Sequence, residues 1–284
     1  GICIHSEIAL YNLPQTEGSC DAVIHYGKIN MDDLPLTSKE FYHSSSHTYF
    51  STLHGNFSIR NGNEIIVESN PDVNPHDLAA YLMGWGMAYL FTQRGYSALH
   101  CTALDIYGKG VLISGISGSG KSSTALSLIQ KGHKFLADDI VMLNPLTNMN
   151  IIPAYPLQKV CRDISTQLNR EQLLYINEER DKFAYYNPTD YCSDPKELHT
   201  LFILKAADIE SVQVEEISGL NKYLRILECL FLAEIYCHTD TPNEDKFRCL
   251  KLAEKLNVYI ITRPLHGNTL DEISSAIEQR ISTN

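Results

Sequence analysis

The stretch Val111-Leu112-Ile113-Ser114-Gly115-Ile116-Ser117-Gly118-Ser119-Gly120-Lys121-Ser122 decides the fold of this chain of 284 residues. Its first four residues favour a short β-strand. A segment with helical character, 122–131, follows the glycines, and Gly132 stands where a helix commonly ends. A strand, a GxxxxGK[ST] turn and a helix in this order are the complete context of a phosphate-binding loop. The sequence therefore predicts an α/β domain that binds a nucleotide.

The residue types in this loop suit phosphate chemistry. Glycines let the backbone curl so that its N–H groups converge on phosphate oxygens, and the helix that follows adds its partial positive charge. Lys121 is placed to reach the β- and γ-phosphates, and the Ser122 hydroxyl is placed to bind Mg²⁺. ATP and Mg²⁺ are the predicted ligands. The residues expected around the phosphates are Gly115, Ser117, Gly118, Ser119, Gly120, Lys121, Ser122 and Ser123.

Two adjacent carboxylates, Asp138-Asp139, stand between Phe135-Leu136-Ala137 and Ile140-Val141-Met142-Leu143, so the sequence predicts a strand that contains both acids. Carboxylates among apolar residues are costly unless a metal or a proton transfer uses them. The segment between Lys121 and this pair leaves room for one short helix before the chain returns beside the loop. One carboxylate can bind Mg²⁺, and the other can accept a proton from a substrate hydroxyl. The alternative is a pair that caps a turn or faces solvent.

Residues 99–143 resemble the C-terminal catalytic domain of HPr kinase/phosphorylase. The resemblance is carried by Leu99-His100-Cys101-Thr102, by the glycine loop, by Gly132-His133 and by Ala137-Asp138-Asp139. It implies a P-loop kinase fold of the HPr kinase/PEP carboxykinase type, with Asp138 as the catalytic base toward a serine, His100 as its partner and Lys121 on the phosphates. Asp139 and Ser122 are then left for the metal. Without the resemblance, a lone histidine such as His100 is more typical of a core or edge position.

The chain also departs from that family. Ser123 stands where a glutamate usually follows the P-loop serine, and a downstream glycine-rich region associated with phosphorolysis is not found. The first 95 residues differ as well. They resemble the shorter HPr kinase-like proteins of peptide-biosynthesis clusters, which include kinases of the C-terminal serine of lasso-peptide precursors, and the segment 153–159 is similar to that group. The resemblance implies a peptide or small protein bearing a serine as the acceptor.

Two cations follow the aspartate pair. Lys159 and Arg162 are candidates for neutralising phosphate charge or a substrate carboxylate. Solvated surface cations are the alternative interpretation.

The chain is expected to fold as two domains: a small N-terminal α+β domain over 1–95 and the P-loop domain over 96–284. In the first, Asn61-Gly62 predicts a hairpin between apolar strands, and Asn74-Pro75 predicts the start of a helix that ends near Gly95. In the second, the predicted strands are 98–107, 201–204 and 258–261, and the predicted helices are 244–256 and 269–281. Residues 163–195, rich in charge and tyrosine, are expected to form a mobile excursion.

The formal net charge of −11 disfavours general binding to nucleic acid or to anionic membranes. The eight cysteines are scattered without paired spacing, as expected of reduced thiols in a cytoplasmic protein. A signal peptide and a membrane span are not expected from the apolar pattern. HPr kinases are hexamers, but the hexamer is not carried over to this chain because its N-terminal half differs. A homo-oligomer stays an open alternative.

Three rival functions remain compatible with the sequence. The first is a bifunctional HPr kinase/phosphorylase, which the missing downstream region disfavours. The second is a non-catalytic nucleotide-binding scaffold, which would need neither His100 nor Asp138. The third is a kinase of a small molecule.

Overall fold

The protein is represented by a computed structural model. The structure describes residues 2–10, 13, 15, 17–34, 40–144, 149–161, 173–177, 182–231 and 243–283. It divides into an N-terminal unit, residues 1–96, and a C-terminal unit, residues 97–284.

The N-terminal unit contains a six-stranded mixed sheet. Its strands are β1 (Ile4–Ser6), β2 (Ala22–Tyr26), β3 (Phe41–His43), β4 (His47–Thr52), β5 (Gly55–Arg60) and β6 (Glu64–Ser69). They lie in the order β1-β2-β6-β5-β4-β3. The predicted hairpin is confirmed, because β5 and β6 pair antiparallel and Asn61 and Gly62 have φ angles of 51° and 65°. Positive φ at both central residues is the geometry for which Asn-Gly is favoured.

A helical segment follows this sheet, and its beginning agrees with the prediction. It comprises α1 (Pro75–Tyr81), a π-helical turn (Leu82–Gly86) and α2 (Met87–Gln93). The Asn74 side chain accepts a hydrogen bond from the His76 N–H, which satisfies one of the free donors of the first turn. The fully buried Tyr89 ring lies 5.8 Å from the ring of Phe50, so this segment contributes to the core of the unit.

The C-terminal unit contains twelve strands and four helices among its described residues. The strands are β7 (Ser97–Leu99), β8 (Thr102–Ile106), β9 (Lys109–Ser114), β10 (Lys134–Ala137), β11 (Val141–Asn144), β12 (Asn150–Ile152), β13 (Leu157–Cys161), β14 (Leu173–Asn177), β15 (Lys182–Tyr186), β16 (Leu198–Ala207), β17 (Gln213–Glu216) and β18 (Asn257–Pro264). The helices are α3 (Lys121–Gln130), α4 (Gly219–Glu228), α5 (Asn243–Lys255) and α6 (Leu270–Thr283).

A central six-stranded sheet, β10-β8-β9-β16-β18-β17, organises this unit. β16 runs parallel to β9 on one side and to β18 on the other, so the carboxyl ends of these three strands lie at the same edge. Residues of α3 and α6, such as Leu128 and Ile277, pack on one face. Residues of α4 and α5, such as Ile226 and Leu252, pack on the other. The mixed α/β architecture is confirmed, and its parallel strands end at the edge where open α/β sheets bind ligands.

Two of the predicted strands were wrong because each is divided between two sheets. The expected strand 98–107 breaks at His100 and Cys101: β7 joins the small sheet β12-β11-β7, and β8 joins the central sheet. The chain breaks again at Asp138 and Asp139, between β10 of the central sheet and β11 of the small one. The aspartates therefore lie in a turn between sheets and not inside a strand.

The segment 163–195 differs in part from its prediction. Within it, β14 and β15 pair with each other and β15 pairs with β13, which forms a three-stranded sheet. A tyrosine-rich sequence suits such strands. Residues 162–172 and 178–181 lie outside the described part of the chain.

The helices predicted after the loop and near the end of the chain are confirmed as α3, α5 and α6, each shifted by one or two residues. Helix α4 was not predicted. Among the described residues, the length and apolar content needed to cross a bilayer are not reached by any helix.

Candidate active site

The loop 115–120 joins the end of β9 to the start of α3. Gly115, Gly118 and Gly120 have φ angles of 144°, 81° and 105°. A Cβ atom on Gly115 would lie 2.5 Å from the carbonyl oxygen of Leu204 in β16, a separation at which the backbone would have to shift. The tight seat of the loop against the neighbouring parallel strand therefore requires glycine at this position.

The side chain of Lys121 lies across the first half of the loop. Its Nζ donates to the carbonyl oxygens of Gly115 at 2.6 Å and of Ile116 at 3.3 Å. Ser117 is exposed, whereas Ser122 and Ser123 are half-buried in the first turn of α3. The lysine and the hydroxyls of Ser122 and Ser123 therefore lie together at the N-terminus of α3, where an anion is favoured, and their role toward a phosphate stays a prediction.

Ser119 behaves differently from the other loop serines. It is 2% exposed, and its Oγ has no hydrogen-bond partner among the described residues. Its hydroxyl would lie 2.6 Å from a Cβ on Gly115. We therefore place Ser119 beneath the loop, where it fills the space that Gly115 leaves open.

Asp138 is held by two donors. Its Oδ1 accepts a hydrogen bond from Thr102 Oγ1 at 2.5 Å, and its Oδ2 accepts one from the Lys159 backbone N–H at 2.8 Å. Burial raises the pKa of Asp138, the Thr102 hydrogen bond lowers it, and the charge of Asp139 raises it further. Desolvation and a neighbouring carboxylate both disfavour the ionised form, which gives this group a greater affinity for a proton than an exposed aspartate has.

Two consecutive residues of β13 link Asp138 to helix α3. The side-chain amide of the buried Gln158 donates to the Ser122 carbonyl oxygen at 3.2 Å, and the next residue, Lys159, donates to Asp138. On the opposite side, Thr102 is the sheet partner of Ile113, two residues before the loop. Both donors to Asp138 are therefore anchored next to the ends of the loop.

Asp139 and Lys159 form an ion pair. The Lys159 Nζ lies 2.6 Å from Asp139 Oδ2, and the two side chains are 37% and 26% exposed. Asp139 has a φ of 70°, a left-handed conformation that aspartate tolerates better than most residues. The turn thus directs two successive carboxylates toward one strand, and Lys159 contacts both, through its backbone and through its side chain.

His100 lies in the break between β7 and β8 and is exposed. Its N–H donates to the Cys229 carbonyl oxygen at 2.8 Å, and its own carbonyl oxygen accepts from Ser114 Oγ at 3.2 Å. Its ring is nearly parallel to that of Phe231, with centroids 6.3 Å apart. The backbone of His100 is therefore fixed to the residue just before the loop. Arg162, the second candidate cation, lies outside the described residues.

Sequence reasoning missed three residues at this site. Thr102 and Gln158 are polar residues in buried parts of strands, a signal that could have marked them as hydrogen-bond donors to another buried group. Arg263, at the end of β18, donates to two carbonyl oxygens of the glycine loop. It lies 142 positions after Lys121 in the chain, and sequence spacing gives no sign of their proximity.

Comparisons with known proteins place the similarity in the region just described. A family model described as HPr Serine kinase C-terminal domain matches residues 93–160. The HPr kinase/phosphorylase of Treponema pallidum (strain Nichols) is 49% identical over 55 residues, which are 19% of this chain and 17% of that protein. The HPr kinase/phosphorylase of Lacticaseibacillus casei (strain BL23) is 49% identical over 59 residues, which are 21% of this chain and 18% of that protein.

A solved structure, that of the Hpr(Ser) kinase/phosphatase from Coxiella burnetii, aligns with 66% of this chain and 91% of its own, with a TM-score of 0.35 and 17% identity. The matched stretches of the curated relatives above span less than a fifth of their lengths. Residues 93–160 are HPr kinase-like, which confirms the resemblance expected for 99–143. They include His100, the glycine loop, both aspartates and Lys159, but not Arg263.

Proposed function

We propose that this protein is an ATP- and Mg²⁺-dependent kinase that phosphorylates a serine hydroxyl on a peptide or small protein. The observation that carries the proposal is the position of Asp138, whose carboxylate is bound by Thr102 and Lys159 next to both ends of the glycine loop. A loop that only senses a nucleotide needs no buried carboxylate beside it. The similarity of residues 93–160 to the HPr kinase catalytic domain supports the same reaction.

In the proposed reaction, Asp138 accepts the proton of the serine hydroxyl as the serine oxygen forms its bond to the γ-phosphorus. The bond between that phosphorus and the β–γ bridging oxygen breaks, and ADP leaves with the electron pair. Lys121 and the loop N–H groups bind the phosphates and stabilise the charge that moves onto the β-phosphate. His100, whose backbone is fixed to Ser114, is proposed as the partner of Asp138 at the acceptor side.

The proposed Mg²⁺ ligands are the hydroxyl of Ser122 and the carboxylate of Asp139. Both offer oxygen atoms, the donors that Mg²⁺ prefers, and both side chains retain solvent access for the water ligands that this ion usually keeps. The Asp139 ion pair with Lys159 occupies one carboxylate oxygen, Oδ2. Bound there, the ion would neutralise the β- and γ-phosphate oxygens.

The acceptor is proposed to be the C-terminal serine of a ribosomal precursor peptide of the lasso type. This rests on the resemblance of the chain outside the catalytic segment to kinases of that kind. Lys159 and Arg162 are the proposed contacts for a substrate carboxylate or phosphate. The reaction is proposed to take place in the cytoplasm.

The decisive experiment compares Asp138→Asn with the wild-type chain. The amide keeps both hydrogen bonds, by accepting from the Lys159 N–H and donating to the Thr102 hydroxyl, but it cannot accept a proton. We expect transfer to a serine peptide to fall by about 10²–10⁴-fold with ATP affinity retained. Transfer is measured by mass spectrometry of the peptide, and Asp271→Asn, a change at an exposed aspartate in the first turn of α6, is the matched control. Full transfer by Asp138→Asn would contradict the proposed base.

The rival functions give different results in the same assay. Incubation of the phosphorylated product with inorganic phosphate releases pyrophosphate if the protein is also a phosphorylase. Tight ATP binding without transfer to any serine peptide indicates a nucleotide-binding scaffold.

A further inference from the structure

Arg263 contacts the glycine loop from β18, two strands away from β9 in the central sheet. It lies near the carboxyl end of β18, which is separated from β9 by β16. Its Nε donates to the Ser119 carbonyl oxygen at 3.1 Å, and its Nη2 donates to the Gly118 carbonyl oxygen at 3.2 Å. Its Nη1 donates to the carbonyl oxygen of Pro264 at 3.0 Å, which fixes the plane of the guanidinium.

The carbonyl groups of Gly118 and Ser119 each share a peptide plane with the N–H of the following residue. In a planar trans peptide the C=O and N–H bonds point in opposite directions. The Gly118 carbonyl shares its plane with the Ser119 N–H, which closes a turn by donating to the Ile116 carbonyl oxygen at 3.1 Å. The Ser119 carbonyl shares its plane with the Gly120 N–H, so Arg263 directs that N–H away from itself.

The Arg263 guanidinium also makes the Gly120 N–H a stronger hydrogen-bond donor. A carbonyl that accepts a charge-assisted hydrogen bond polarises its peptide unit, which makes the N–H on the opposite side a better donor. Lys121 Nζ, in contrast, contacts the carbonyls of the first half of the loop, at Gly115 and Ile116. Lys121 therefore binds two carbonyls of the first half of the loop, and Arg263 binds two of the second half from a strand that the chain reaches much later.

We infer that Arg263 is a positioning residue of the nucleotide site, which fixes the peptide planes of Gly118 and Ser119 so that the Gly120 N–H is directed at a phosphate oxygen. The inference rests on the proposed nucleotide binding and adds a residue to it. Arg263 lies outside the segment 93–160 that is similar to the HPr kinase domain.

The test measures binding of ATP with Mg²⁺, of inorganic triphosphate and of adenosine by calorimetry to the full chain and to Arg263→Ala and Arg263→Lys. We expect about a tenfold weaker affinity for ATP and for triphosphate in Arg263→Ala, because two hydrogen bonds to a charged group are lost. Arg263→Lys, which can make one of the two, should be intermediate, and adenosine affinity should be unchanged. In steady-state kinetics KM for ATP should rise more than kcat falls.

The matched control is Arg225→Ala, which removes an arginine that pairs with Glu228 on α4. It should leave triphosphate affinity at the wild-type value. If Arg263→Ala does not fold, Arg263→Lys decides the matter. Triphosphate affinity within twofold of wild type in the folded variants would overturn the role of Arg263, whereas a wild-type chain that binds triphosphate but not ATP would contradict the proposed function instead.

Discussion

Asp138 is subject to opposing influences on its pKa at the scale of single residues. Burial raises the pKa, and so does the neighbouring charge of Asp139, whereas the hydrogen bonds from Thr102 and the Lys159 N–H lower it. A base must be ionised to accept a proton, so phosphoryl transfer should fall as the pH decreases through the pKa of Asp138. The hydroxyl of Thr102 therefore extends the active pH range toward acid.

Substitution of Thr102 tests this balance. Thr102→Val removes the donor to Oδ1 and retains the shape of the side chain, so the pKa of Asp138 should rise. We expect the acidic limb of the kcat/KM profile to move to higher pH by about 0.5–1 unit, the equivalent of one hydrogen bond. Thr102→Ser keeps the hydroxyl and should retain the wild-type limb. Identical limbs in Thr102→Val and wild type would show that another group controls the acidic limb.

The contrast between predicted and missed residues has a physical basis at this scale. Asp138 and Asp139 could be selected from sequence because ionised groups among apolar neighbours are costly without a use. The signal for Thr102 and Gln158, a polar residue in a buried strand, is weaker, because such residues are common and their hydrogen-bond partners depend on which strands meet. Thr102 reaches the Asp138 carboxylate because β8 and β10 pair, with Ala103 opposite Ala137.

At the scale of elements, the glycine loop depends on how closely β9 and β16 approach. Gly115 has almost no room for a side chain, because its Cβ would meet the Leu204 carbonyl oxygen at 2.5 Å. Gly118 has a φ of 81° with no atom within 4 Å of its Cβ position. The same substitution should therefore have unequal costs at the two positions.

Gly118→Ala should lower stability by about 1 kcal/mol, the cost of a left-handed conformation for alanine. Gly115→Ala should cost about 1–3 kcal/mol more, because the added methyl forces the loop away from β16. Thermal unfolding without nucleotide measures both, and we expect the lower melting temperature for Gly115→Ala. Equal melting temperatures would mean that the loop moves away from β16 without cost.

Element prediction succeeded where the signal is local. The hairpin at Asn61-Gly62, the helix start at Asn74 and helix α3 after the loop all depend on residues within one turn of the feature. It failed at His100 and Asp138, where an apolar run continues in sequence but passes from one sheet to another. An apolar run signals burial in both sheets alike, so the pattern cannot show the change. Both breaks occur at proposed catalytic residues.

At the scale of the molecule, each unit has buried apolar residues of its own. In the N-terminal unit, Phe57 and Ile65 of β5 and β6 are fully buried. In the C-terminal unit, α3 and α6 cover one face of the central sheet and α4 and α5 the other. The α/β class of the second unit could be predicted from the strand–loop–helix sequence. The position of β16 between β9 and β18 could not be predicted, because parallel pairs join strands that are distant in the chain.

The location of the site within one unit leads to a prediction for the whole chain. Every residue proposed to bind ATP lies in the C-terminal unit, so bound nucleotide should stabilise that unit directly. With ATP and Mg²⁺ at 100 times the dissociation constant, the slowest-exchanging amides of β9 and β16 should exchange about 100-fold more slowly. Those of β5 and β6, whose protection depends on the N-terminal core, should change less than twofold. Hydrogen exchange followed by mass spectrometry of peptides from each strand measures both. An equal slowing in β5 and β6 would show that the two units unfold together, and no slowing in β9 would place the nucleotide elsewhere.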